Sequence, residues 1–236
     1  MDIKRFFVNA EDINNDCAYV RGDEFYHATK VLRQKLGYKV ILSAGDGYDY
    51  YGEIDEIAKD YFRVKITEKI FNDNETQRRF ILLSSIVKES DFIVQKAVEL
   101  GVTEFIPVVT QYVNAKLDID RARRIAGQAI KQCERGRLMT IKDTMTLSEA
   151  LEYTKEYSKK ILPYENATDG RIKDLVNSAD DTIVILIGPE GGFSETEIDD
   201  ATKYGYKPVT LGKRILRAET ATISALTLAL DAADEL

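Results

Sequence analysis

Two short segments carry the residues whose types and spacing could do chemistry. The first, GPEGG at 188–192, sets three glycines and the carboxylate of Glu190 between the strand-like run TIVILI and a polar segment, SETEID, that opens a helix. Glycine lets another molecule approach the main chain closely, and a glycine-rich bend between a strand's carboxyl end and a helix N-terminus is where open α/β sheets hold ligands. The second, LGKRILRAET at 211–220, repeats the order of strand, glycine, irregular turn and helix. Standing side by side at one sheet edge, the two bends would enclose a single pocket. Ile215 and Leu216 are apolar where a plain connector would be polar, which suits the walls of an adenine slot whose edge the backbone groups of Leu211 and Leu216 would read. Phosphate cradling is a poor fit, since the first loop lacks both the Lys-Ser/Thr pair of a P-loop and the GxGxxG spacing of a dinucleotide fold. For that loop taken alone, a ligand-free strand-to-helix turn remains the alternative.

The elements that must position these bends belong to the second of two halves with different periods. From Lys4 to about Phe71 the runs KRFFV, CAYVRG, KVILSAG, YDYYGEIDEI and YFRVKIT are short, alternating and rich in aromatic and β-branched residues, and GDG at 45–47 supplies a turn. A small β-barrel or curled sheet is expected there. Its one helical piece is DEFYHATKVLRQKLG, with Phe25, Ala28, Val31 and Leu32 on one face and Gly37 as the stop. The polar stretch FNDNETQRR marks the boundary, placing domains at 1–72 and 73–236. Beyond it FILLSSIV, EFIPVVT, KKILP, TIVILIG and KPVTLG alternate with helical runs, as in an α/β domain with a largely parallel sheet. Thr146 with Glu149 and Ser194 with Glu197 have capping-box spacing, and Phe193 and Ile198 stand where a hydrophobic staple would sit.

Composition narrows the function classes. The chain of 236 residues carries 40 acidic and 33 basic side chains, a net charge of -7, so any nucleic-acid partner must be met by a local patch rather than by the field of the whole molecule. Cys17 and Cys133 lie far apart and the one histidine is His27, so the usual zinc ligand sets are missing and no metal is expected. Both cysteines read as reduced packing residues. No apolar run is long enough to span a bilayer and the first residues lack the apolar middle of a secretory signal, so a cytoplasmic protein with no membrane partner is expected.

LIGPEGGFSETEI, LGKRILRAETA, QKAVELGV and QCERGR occur in the order and approximate spacing of the RsmE family, and HATKVLRQKLG and YYGEI extend the match over essentially the whole chain. The sequence therefore resembles methyltransferases that modify the N3 atom of one uridine in 16S ribosomal RNA. That resemblance implies an N-terminal PUA-like β-barrel for RNA binding and a SPOUT-type α/β methyltransferase domain. It further implies a C-terminal segment threaded as a trefoil knot, a homodimer, and S-adenosylmethionine bound in the knot. Connection rules alone would have rejected a knotted chain. Carried over by position, the cofactor pocket would involve Ile187, Gly188, Gly191 and Gly192 of the first loop and Leu211, Gly212, Ile215, Leu216 and Arg217 of the second. Thr220 and Ala221 would open the last helix beside the cofactor, and Leu162 and Pro163 would end a third strand. The tail helix, residues 218–233, is small-faced, which is compatible with a dimer interface. Two departures stand out: many relatives carry Arg followed by Ser or Cys where this chain has Tyr112 and Val113, and IVKESD is shorter than its counterpart in some relatives, which leaves Lys88 without a firm equivalent.

The implied reaction methylates an atom on the base-pairing edge, so the uridine must be unpaired or flipped out and must lose its N3 proton. Arg217 is the leading candidate for stabilising charge on the uracil carbonyl oxygens, with a salt bridge to Glu219 or Glu190 as the alternative. Glu190 is a candidate proton acceptor or simply an exposed charge. Arg5, Arg21, Lys30, Arg33, Gln132, Arg135 and Arg137 are the candidate RNA contacts, each of which could equally be solvated surface. His27 reads as a packing or hydrogen-bonding residue. The expected partner is 16S ribosomal RNA in the assembled small subunit. The competing readings are a related knotted tRNA methyltransferase and a non-catalytic RNA-binding factor, which a preserved cofactor wall argues against.

Overall fold

The computed structural model describes residues 3–14, 16–113 and 115–236, and the chain divides into two units, Met1–Glu75 with Ile130–Leu138 and Thr76–Ala129 with Met139–Leu236. In the first unit the alternating runs form β1 (Lys4–Phe7), β2 (Cys17–Arg21), β3 (Lys39–Ser43), β4 (Tyr48–Ile57) and β5 (Tyr61–Phe71). They make a five-stranded sheet in the order β1-β3-β4-β5-β2, antiparallel except for β1 against β3. Inward-facing Phe6, Val20, Val40, Leu42, Ile54, Phe62 and Val64 build its core. Register shifts after Tyr51 and Ile54 bend the β4–β5 ribbon, as bulges do. Gly52 permits the first of them, because a Cβ there would lie 2.4 Å from Val64 Cγ1 and 2.5 Å from the Lys65 carbonyl oxygen.

The expected single amphipathic helix is instead α1 (Gly22–Tyr26) running into a π-helical turn, His27–Val31. There Leu32 N–H donates to the His27 carbonyl at 3.0 Å, five residues back. The extra residue in the turn rotates Val31 off the apolar face, leaving it 59% exposed, while Phe25, Ala28 and Leu32 stay on the core. His27 is exposed and its ring makes no hydrogen bond among the described residues, so it neither packs nor bonds as the sequence suggested. The first unit runs to Glu75 and takes in residues 130–138. Asn72 donates its side-chain amide to Asp49 Oδ2 at 3.2 Å and to the Glu134 carbonyl at 2.9 Å. Glu75 accepts from Arg135 Nη2 at 2.9 Å and from Arg137 N–H at 2.8 Å. These polar contacts draw residues 130–138 into the first unit, and apolar periodicity carries no sign of them.

The second unit is a parallel sheet. It contains β6 (Arg79–Ser85), β7 (Glu104–Val109), β8 (Thr140–Ile141), β9 (Met145–Thr146), β10 (Lys159–Pro163), β11 (Thr182–Ile187) and β12 (Lys207–Val209). The order is β12-β10-β11-β6-β7-β8, with β9 also paired to β7. Its helices are α2 (Ser90–Glu99), α3 (Ile119–Cys133), α4 (Leu147–Tyr153), α5 (Ile172–Leu175), α6 (Glu195–Lys203) and α7 (Ala218–Ala232), the last turn of α3 belonging to the first unit. The central strands β6 and β11 read as continuous apolar runs because both faces are covered: Ile81, Leu83, Val184 and Leu186 are fully buried in one cluster with Leu162 of β10. Each such side chain contributes about 1.5–3 kcal/mol on burial. Among the described residues no helix is long and apolar enough to cross a membrane.

Candidate active site

Because β12, β10 and β11 are adjacent and parallel, the loops that follow them leave the sheet at the same edge. Between those loops lies a cavity of about 280 Å³. Ile187, Gly188, Gly191 and Gly192 contribute one wall, Leu211, Gly212, Ile215 and Leu216 the facing one, and Pro163 and Ala221 close the ends. The juxtaposition of two glycine-bearing bends therefore exists. Leu162, Arg217 and Thr220 do not line it. Leu162 is fully buried one residue earlier, inside the sheet core, and Arg217 and Thr220 are exposed at the start of α7.

The local chemistry explains the shape of the loop. Ser194 caps α6, and Glu197 completes the box by accepting the Ser194 N–H at 2.9 Å. Phe193 and Ile198 pack in the same apolar cluster, which fixes the angle at which the loop enters the helix. The Phe193 ring lies so close beneath Gly188 that a Cβ there would sit 2.8 Å from Cε2. Gly192 and Gly212 have φ of +73° and +116°, conformations that side chains disfavour. Gly191, by contrast, has open space where its side chain would be. The N–H groups of Leu211, Ile215 and Leu216, three residues that line the cavity, donate to no acceptor among the described residues.

Several lining residues were not foreseen: Tyr164, Glu165, Pro189, Phe193, Arg214 and Ala218. Glu165 follows the expected third-strand end by two residues, and its Oε1 would lie 2.6 Å from a Cβ on Gly192. Only the position after Pro163 could have pointed to it.

Glu190 is exposed, lines the cavity, and accepts the Lys88 N–H at 3.4 Å through Oε1. Arg217 is the N-cap residue of α7, and its side chain pairs with neither Glu219 nor Glu190 among the described residues. On the opposite flank the turn after β7 closes through Val113 N–H to the Thr110 carbonyl at 3.0 Å and leaves Tyr112 64% exposed.

The seven candidate RNA contacts all fall in the first unit, and they divide sharply. Arg5 is engaged by both oxygens of Asp49 at 2.5 and 2.8 Å, with its side chain 9% exposed. Burial, the largest influence on that guanidinium, opposes its charge, but the Asp49 bonds outweigh it and the pKa is raised. Arg135 is 4% exposed and held by Glu75. Arg21 meets Asp12 at 3.3 Å and lies over the rings of Tyr19 and Tyr61. Lys30, Arg33, Gln132 and Arg137 are exposed. The sequence cannot separate these groups, because the acids that neutralise Arg5 and Arg135 lie 44 and 60 residues away.

The RNA methyltransferase domain family matches residues 74–230, and the RNA methyltransferase PUA domain family matches residues 20–67. Ribosomal RNA small subunit methyltransferase E of Mesomycoplasma hyopneumoniae is 37% identical over 70% of this chain and 75% of its own. The protein of the same name from Buchnera aphidicola is 30% identical over 95% and 92%. A crystal structure of ribosomal RNA small subunit methyltransferase E from Neisseria gonorrhoeae bound to S-adenosyl methionine superposes with a TM-score of 0.87 at 27% identity, covering 98% of both chains. The cavity here fits that cofactor on its own terms: the apolar side chains of Ile187, Leu211, Ile215 and Leu216 for a base, main-chain donors without an acceptor among the described residues, glycines that clear the approach, and the side chains of Glu165 and Glu190 in the lining.

Proposed function

We propose that this chain, which belongs to the ribosomal RNA small subunit methyltransferase E family, transfers the methyl group of S-adenosylmethionine to the N3 atom of one uridine in 16S ribosomal RNA. The observation that carries the reading is the single cavity between the two glycine-bearing loops. When bound, the cofactor supplies a methyl group already made electrophilic by its sulfonium. The protein's task is therefore placement and charge stabilisation.

Main-chain donors of Leu211, Ile215 and Leu216 hold and orient the nucleoside, and Ile187 and Leu216 keep water from its base. Arg217, adjacent to the cavity-lining Leu216 and paired with no acid among the described residues, stabilises the charge that grows on the uracil carbonyl oxygens. Glu190 at the rim takes the N3 proton. In this reading the second unit threads as a trefoil knot, the enzyme works as a homodimer in the cytoplasm, the first unit is the RNA-binding PUA-like domain, and the substrate is the assembled small subunit. Lys30, Arg33, Gln132 and Arg137 are the RNA contacts left exposed to serve it.

The test is methyl transfer from labelled cofactor to small subunits that lack the modification, followed by nucleoside mass spectrometry. N3-methyluridine in the 16S RNA is expected. Transfer to tRNA instead, or no calorimetric binding of S-adenosylmethionine, would replace this reading with one of its competitors.

A further inference from the structure

A second cavity, of about 590 Å³, lies on the other side of Glu190, bounded by the loop after β6, the turn after β7 and the start of α3. Its size falls within the range of small-molecule sites. Glu190 is common to both cavities, so the two meet at one carboxylate. The acids of this wall are Asp91, Asp118 and Glu190, and each has a donor. Asp91 pairs with Arg121 at 2.5 Å, Asp118 accepts the Arg121 N–H at 3.0 Å, and Glu190 accepts from Lys88 N–H. Lys88 and Lys116 have exposed ammonium groups with no ion pair among the described residues. Tyr112 presents a ring that touches no other ring and a hydroxyl that makes no hydrogen bond among the described residues. Its backbone is nonetheless fixed, since Gln111 N–H is held by Glu197 at 2.8 Å and Val113 N–H closes the turn. An exposed aromatic on a braced turn, flanked by cations that form no ion pair among the described residues and lining a cavity that shares Glu190 with the first, suits a nucleotide: the π-face stacks a base and the cations meet its phosphates.

We infer that this second cavity receives the extruded acceptor pyrimidine, with Tyr112 as its stacking face and Lys88 and Lys116 on the flanking phosphates. The inference rests on the proposed methyl transfer and adds the place where the base sits. It also gives a role to Tyr112, which stands where many relatives carry an arginine.

A hairpin RNA with 4-thiouridine at the acceptor position, irradiated with the full-length protein and S-adenosylmethionine, should cross-link to residues 110–118, read by peptide mass spectrometry. A cross-link confined to other segments overturns the assignment. In parallel, Tyr112→Ala should lower kcat/KM for unmodified small subunits roughly ten- to hundred-fold, the worth of one stacked base. Its affinity for S-adenosylmethionine should stay within about two-fold, because Tyr112 does not line the first cavity. Tyr112→Phe, which keeps the ring, should restore most of the loss. Undiminished kcat/KM in Tyr112→Ala, or a Phe variant as impaired as the Ala variant, overturns the stacking role. Wild-type protein that binds no S-adenosylmethionine overturns the underlying reaction as well, so the two failures are told apart.

Discussion

The carboxylate of Glu197 joins the glycine-rich loop to Gln111: Oε2 accepts the N–H and hydroxyl of Ser194 at 2.9 and 3.1 Å, while Oε1 accepts the Gln111 N–H at 2.8 Å. One side chain thus ends the loop that walls the first cavity and braces the turn that carries Tyr112. Capping boxes are usually local devices. Here the second carboxylate oxygen gives the cap a partner 86 residues away in sequence.

Glu197→Ala should therefore do more than fray a helix. Losing the cap costs about 1 kcal/mol, which lowers Tm by roughly 2–4 °C in a chain of this size. Because the Tyr112 turn loses its brace as well, kcat/KM for RNA should fall further than affinity for the cofactor does. Glu197→Gln, which keeps one acceptor oxygen, should lie between. Scanning calorimetry and titration of each substrate separate the effects, and a variant with wild-type Tm and activity would show that the contact does not matter.

Two glycines in the same loop should respond oppositely to alanine. At Gly188 the added carbon collides with the Phe193 ring, so the fold itself pays about 1–3 kcal/mol and Tm falls. At Gly191 nothing stands within 4 Å and the backbone is not left-handed, so Tm should hold. Gly191 lines the cavity, however, and its new methyl takes space the ligand would use, so affinity for S-adenosylmethionine should drop by about ten-fold or more. Unchanged affinity in Gly191→Ala would mean that the cofactor lies elsewhere.

Arg217 is exposed and unpaired among the described residues, so Arg217→Ala should leave Tm unchanged. If it stabilises charge in the transition state, kcat should fall by about 10²–10³ while cofactor affinity moves little. Calorimetric titration beside single-turnover methylation reads both, and a normal turnover rate would remove the residue from the mechanism.

Lys160 offers a pH-dependent check on the sheet that carries the site. Burial lowers its pKa from the ordinary 10.5, although its ammonium donates to the Lys155 carbonyl at 2.9 Å. A lowered folded-state pKa means that between it and 10.5 the unfolded chain binds more protons, so this group's contribution to stability rises with pH through that window. Lys160→Met should be more stable than wild type at neutral pH, and its advantage should shrink as pH approaches 10.5. Urea melts at several pH values follow the difference, and a constant offset would show that no such titration takes place.

What the sequence made legible follows from how local each signal is. The apolar runs became β6, β7, β10, β11 and β12, and both capping boxes are closed, because periodicity and caps are written in a few neighbouring residues. The two loops lining one cavity were legible because parallel strands deliver their carboxyl ends to one edge. The π turn at His27–Val31 was not, since one extra residue per turn leaves no compositional mark. Nor were β8 and β9, two residues each, or the polar hold of Asn72 and Glu75 on residues 130–138. Glu165 and the second cavity escaped because they depend on side chains from loops far apart in the sequence.

The division among the arginines of the first unit can be measured directly. Arg135 is buried against Glu75, so Arg135→Ala strands a carboxylate and should cost about 3–5 kcal/mol of stability. Any loss of RNA binding in that variant should track the fraction unfolded. Lys30 and Arg33 are exposed and pair with no acid among the described residues, so their alanine variants should melt as wild type does. If each meets a phosphate, the slope of log K against log salt should fall by about one for each charge removed. Filter binding of small-subunit RNA across a salt series, with melts on the same samples, distinguishes the two classes. A salt slope unchanged in the Lys30→Ala, Arg33→Ala double variant would move the RNA path away from the π turn.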